Sequence, residues 1–149
     1  MKIKQTVIII MLLVLFILGA RQWLVQKTLQ NEFDKPTSKL SLCDPTKKNC
    51  QFGDNGFSYT LQFSQKPSVL TPFNVSIRAD HPQLKFIDLT FSMASMNMGF
   101  NHYRLVEAAS SWRTNVILPV CSLGRNDWQL SVAMTFENTQ EITVFKFTQ

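Results

Sequence analysis

The chain has only two histidines, His81 and His102, and three cysteines among its 149 residues. That scarcity excludes histidine-rich metal centres, and the single Cys-x6-Cys spacing, with no second pair, is not a usual zinc knuckle. No Gly-x-Ser-x-Gly elbow, no glycine-rich phosphate loop and no His-Glu-x-x-His occurs, so the common hydrolase, nucleotide and metalloprotease signatures are missing. Asp80-His81 is an adjacent acid and imidazole, but Pro82 follows and the stretch reads as a turn. The expectation is that the protein is not an enzyme. Acidic residues are absent before Arg21: all 10 follow it, whereas Lys2, Lys4 and Arg21 supply three of the net +5 charges. The remaining basic residues are scattered, with only Lys47-Lys48 adjacent. No phosphate-tracking stripe exists, which argues against nucleic acid.

The segment Gln5 to Ala20 carries no charge and is built almost wholly from Ile, Leu, Val, Met and Phe. As a helix these 16 residues span about 24 Å at a rise of roughly 1.5 Å each, somewhat short of a hydrocarbon core of about 30 Å. Snorkelling by Lys4 and Arg21, with Trp23-Leu24-Val25 at the interface, extends that length. A cleaved signal peptide is the rival reading, although Leu18-Gly19-Ala20 is a poor small-x-small site. With lysines ahead of the span, the positive-inside rule leaves the C-terminal part outside the cytoplasm. We therefore expect an anchor over residues 1–25, a stalk over 26–39 and a folded extracytoplasmic domain over 40–149.

Beyond Gly56 the apolar period becomes two, as half-buried strands require. Phe57 to Phe63, Phe73 to Ala79, Ile87 to Met93, Trp112 to Leu118 and Trp128 to Phe136 all alternate, and Glu141 to Phe147 adds an edge-like run. Glycine, asparagine and proline turns separate them, and no useful helical period follows residue 40. The expected fold is mainly β, an immunoglobulin-like antiparallel sandwich preceded by one transmembrane helix. Trp112 and Trp128 fall on apolar strand faces and read as core. Cys43 and Cys50 bracket Asp-Pro-Thr-Lys-Lys-Asn, a turn that brings them within disulfide range in an oxidising space.

Chemistry concentrates between Met93 and His102. Met96 and Met98 share a face in extended chain, Gly99 permits a sharp bend, and His102 follows where it could fold back. Two thioethers and an imidazole make a credible Cu(I) site, with Met93 and Cys121 as further donors. The competing reading makes the methionines interior packing, and Cys121 is open between an added thiolate and a buried core residue.

Met96-x-Met98-Gly99, together with Leu118-Pro119-x-Cys121 followed by Trp128, gives the stretch from Leu42 to Trp128 a resemblance to small N-terminally anchored bacterial proteins related in layout to the FixH/YtkA-like domains. The resemblance implies an immunoglobulin-like sandwich at the bacterial inner membrane, single-pass, with its domain in the periplasm. It also implies a role in copper handling or haem–copper oxidase assembly, with Met96 and Met98 as the matching positions and an oxidase assembly factor as a partner. The alternative expectation is a metal-free protein–protein module of a membrane complex, docking through a sheet face or edge.

Overall fold

The computed structural model describes residues 11, 15–16, 18–22, 37–54, 56–94, 96 and 101–149. The chain divides into two units, Met1–Lys35 and Pro36–Gln149. In the first, the described residues are helical. Among the described residues no helix is long and apolar enough to cross a membrane. Most of the expected anchor, and residues 26–36 of the expected stalk, lie outside them.

The second unit is mainly β. Its strands are β1 (Thr37–Ser41), β2 (Cys50–Phe52), β3 (Tyr59–Phe63), β4 (Phe73–Arg78), β5 (Leu84–Met93), β6 (His102–Arg104), β7 (Val106–Ala108), β8 (Ser111–Val116), β9 (Asp127–Phe136) and β10 (Gln140–Thr148). They form two five-stranded sheets, ordered β1-β10-β9-β5-β6 and β2-β3-β4-β8-β7. The folded unit starts earlier than residue 40, because β1 already pairs parallel with β10 from Thr37↔Glu141 onward. A short polar edge strand needs no alternation to be held by a neighbour's ladder, so its sequence does not announce it.

The period-two runs do what their pattern requires. In β5, Ile87, Leu89, Phe91 and Met93 are buried, and in β9 Trp128, Leu130, Val132, Met134 and Phe136 are buried. The facing sheet contributes Tyr59, Leu61, Phe73, Val75, Ile77, Trp112 and Val116. Edge-to-face ring contacts bind the layers: Phe73–Phe91 at 6.2 Å and Phe63–Phe147 at 5.7 Å, geometries the ring quadrupoles favour. The cystine Cys43–Cys50 is formed, with Cα atoms 5.7 Å apart. It joins the exit of β1 in one sheet to the start of β2 in the other. Within its loop the Asp44 carboxylate accepts from Thr46 N at 2.9 Å and Thr46 Oγ1 at 2.7 Å, an Asx turn.

The register sorts the connections to two ends. Met93 opposes Trp128 and Phe73 opposes Val116, so residues 64–72, Ala94, Met96, Asn101 and residues 117–126 gather at one end, with Gln149. Thr37, residues 53–54 and 56–58, residues 79–83 and the turn at 137–139 lie at the other.

Candidate functional site

The segment 117–126 crosses from β8 in one sheet to β9 in the other, and it is pinned at both sides. The Tyr103 hydroxyl donates to Ile117 O at 2.7 Å and accepts from Ile117 N at 3.3 Å. Arg125 donates to Ala94 O at 3.0 Å and holds the Asp127 carboxylate through two nitrogens. That hydrogen bonding raises the Arg125 pKa above its ordinary value, with partial desolvation working against it and the charge of Asp127 adding to the rise. Between the pins, Gly124 N donates to Cys121 O at 3.0 Å in a tight turn with Gly124 at φ +67°.

The effect is to set Cys121 against the end of β5. Its Sγ lies 3.9 Å from Met96 Sδ. Cys121 is a free thiol, 8% exposed, and Met96 is partly buried against the core. Met96 is held by its own backbone, with Met96 N donating to Met93 O at 3.1 Å. Metal–sulfur bonds of about 2.3 Å at trigonal angles place two sulfurs about 4 Å apart, so thiol and thioether fit a shared soft ion. Met93 is 2% exposed beneath them and belongs to the core. Met98 lies outside the described residues, as do Gly99 and Phe100.

His102 is not brought to these sulfurs. It pairs with Thr90 across β5 and β6, and paired residues share a face. Phe91 and Met93 point into the sandwich while Thr90 is exposed, so the imidazole stands on the outer face, across the sheet from Met96. There His102 Nδ1 lies 2.9 Å from Thr90 Oγ1. Its Nε2 is 3.7 Å from Asp88 Oδ1, too far for a hydrogen bond. Asp88 is instead taken by Arg104 through Nε at 2.9 Å and Nη2 at 3.0 Å. Arg104 also stacks on Phe86, its guanidinium carbon 4.3 Å from the ring centre. Thr90, His102 and Asp88 thus stand in the order of a nucleophile, base and orienting acid, but on an open sheet face with the acid engaged elsewhere. Among the described residues no group of three or more His, Cys, Asp or Glu could hold a metal ion.

Around Cys121 the loops are apolar and exposed: Leu70, Val120 and Leu123 are 67%, 59% and 71% accessible. Leu70 adopts φ +56°, a region costly for a branched L-residue. Its amide donates to Leu118 O at 2.9 Å, and Thr71 N donates to Ser68 O at 3.2 Å, so the tip is fastened in that shape. Among the described residues, three buried donors without partners also lie at this end: Asn101 Nδ2, Trp128 Nε1 and Gln149 Nε2. Sequence spacing gave no warning of Arg125 or Leu70, because each acts through a contact made only once the sheets have packed.

No family model and no curated protein matches the chain. A solved structure of an engineered protein aligns over 60% of this chain and 20% of its own, at 8% identity and a TM-score of 0.45. So weak a likeness bears on neither fold nor function.

Proposed function

We propose that the protein is a membrane-tethered, extracytoplasmic accessory domain that holds Cu(I) between Cys121 and Met96, with Met98 close by in sequence. The observation that carries this reading is the 3.9 Å approach of the Cys121 thiol to the Met96 thioether. Soft donors of this kind favour Cu(I) over hard cations. A formed cystine between the other two cysteines fits an oxidising compartment, and near-complete burial shields the remaining thiol. The resemblance to FixH/YtkA-like domains supplies the wider role, copper handling or haem–copper oxidase assembly at the bacterial inner membrane. The sheet order, with β1 parallel beside β10, fits the immunoglobulin-like arrangement that resemblance implies.

The test is a competitive Cu(I) titration of the full chain in detergent micelles against a chromogenic chelator. We expect one ion per chain, with affinity reduced about tenfold or more in Cys121→Ser and Met96→Leu, leucine keeping the volume of methionine. His102→Ala should bind as the wild type does. Equal binding by wild type and the sulfur variants, or none above the detergent blank, would end the copper reading.

The strained, exposed Leu70 favours a second reading, a protein-docking module using the loop end without metal. On that reading Leu70→Asp abolishes partner capture while the sulfur variants leave it intact.

A further inference from the structure

On the outer face of the β2-β3-β4-β8-β7 sheet, away from the sulfur pair, lies a shallow cavity of about 440 Å³. Its floor is the outward row of three neighbouring strands: Thr60 and Gln62 from β3, Asn74, Ser76 and Arg78 from β4, and Arg113 from β8. Its lining holds no carboxylate and no aromatic ring. An outer sheet face is ordinarily polar, so polarity alone says nothing; the charge pattern does. Arg113 pairs with Ser76, and Arg78 is two residues further along the same strand. The two guanidinium-bearing residues are therefore diagonal neighbours, with backbones about 7–8 Å apart.

Both arginines are exposed, and neither enters an ion pair among the described residues. Arg113 donates to the Ser111 hydroxyl at 3.0 Å, which leaves its charge uncompensated. The opposite sheet shows the ordinary solution, Arg104 on Asp88 and Lys85 on Glu137 at 2.9 Å. Like charges set close on one face repel, and among the described residues no carboxylate pairs with either. Around them Thr60, Gln62 and Ser76 present hydroxyl and amide groups, which exchange hydrogen bonds with ring hydroxyls, and Asn74, whose Nδ2 donates to Thr114 O at 3.2 Å and Asn115 Oδ1 at 3.3 Å, offers its amide oxygen. The volume sits within the range of small-molecule sites, about 300–1,000 Å³.

We infer that this face binds an acidic saccharide, its carboxylate or phosphate held by Arg78 and Arg113 and its hydroxyls met by the Thr60, Gln62, Asn74 and Ser76 row. Guanidinium forks match either anion, so the two sources are separated by the probes.

The experiment titrates the full chain in detergent micelles with trigalacturonic acid, glucose 6-phosphate, neutral maltotriose and inorganic phosphate, read by calorimetry and amide chemical shifts. One acidic saccharide should bind saturably at millimolar or lower concentration, and whichever it is assigns the anion. Maltotriose and inorganic phosphate should bind at least about tenfold more weakly. Arg78→Gln and Arg113→Gln should each weaken binding about tenfold, whereas Arg104→Gln, on the other sheet, should leave it unchanged. Without ligand, the two glutamine variants should melt at or above the wild-type temperature, because a repulsion has been removed. Failure of both acidic saccharides to bind overturns the proposal, and so does binding indifferent to the two arginines. Inorganic phosphate binding as tightly as the sugars would reduce the face to a simple anion site and overturn it equally. None of these outcomes involves copper, so this inference stands or falls apart from the metal reading.

Discussion

The two ends of the sandwich are built on different terms. The end where β1 enters is closed. His81 packs at a tilt against Phe57 and edge-on against Phe136, with ring centres 4.1 and 4.7 Å apart, Lys39 pairs with Asp54, and Lys85 pairs with Glu137 at 2.9 Å. The end holding residues 64–72 and 117–126 keeps Leu70 strained, Val120 and Leu123 in water and three buried donors unpartnered. The left-handed Leu70 and the unpartnered donors cost stability; the exposed apolar side chains do not, being equally wet in the unfolded chain. Strain is not confined to that end, since Ala109 at φ +55° turns between β7 and β8 at the closed one; what sets the sulfur end apart is that its strain coincides with exposed apolar side chains and unpartnered donors.

A glycine at each end puts that contrast to the test. A Cβ on Gly53, at φ +141°, would stand 2.2 Å from the Phe57 carbonyl oxygen, whereas at Gly124 nothing lies within 4 Å. Gly53→Ala should therefore cost about 3 kcal/mol, read as the largest fall in denaturation midpoint. Gly124→Ala should cost only the left-handed penalty of about 1 kcal/mol, while speeding modification of Cys121 by a thiol reagent as its turn loosens. Equal losses would erase the distinction between the ends.

The cystine should come next. Cys43→Ser opens a loop whose closure is worth about 2–3 kcal/mol in chain entropy, or roughly 5–12 °C of melting temperature. An unchanged transition would mean that the two sheets need no staple. Leu70→Gly tests the strain directly and has the opposite sign: relief of the positive φ should stabilise the protein by about 0.5–1 kcal/mol. A loss of stability would show that the leucine side chain supports the fold rather than a ligand surface.

The smallest effect is electrostatic. Burial pushes the Asp44 carboxyl upward, but hydrogen bonds from the Thr46 side chain and amide and the nearby Lys47 outweigh it, so its pKa is lowered. A carboxylate depressed on folding stabilises at pH values above its unfolded pKa near 4, and that contribution fades as pH falls through the lower folded value. Asp44→Asn retains the turn acceptor and removes the titration. Its melting temperature should decline less steeply than the wild type's between pH 5 and pH 2. Parallel profiles would remove Asp44 from the acid limb.

The strands with an apolar residue at every second position were legible because burial on one face writes itself into the chain. β1, β2, β6 and β7 were not. Each is a short edge strand, and the three-residue β6 and β7 flank a lone buried Leu105. The cystine was legible from its turn, since Cys43 and Cys50 are near neighbours along the chain. The meeting of Cys121 with Met96 was not, for it depends on β8 crossing to the other sheet and on Arg125 clasping Ala94. His102 shows the same limit from the other side. Three residues beyond Gly99 it looked able to reach back, but its face is set by the Thr90 pairing, which no local spacing encodes.

Gln149 lies with the sulfur pair: Thr148 pairs with Asp127, and Gln149 N donates to Asn126 O at 3.1 Å. An affinity tag of histidines appended there would hang beside Cys121 and offer rival imidazoles for any ion the pair takes. Attached ahead of Thr37, which enters at the far end of strands ten residues long, the same tag joins the sandwich about 30 Å away. Purification handles for this protein belong upstream.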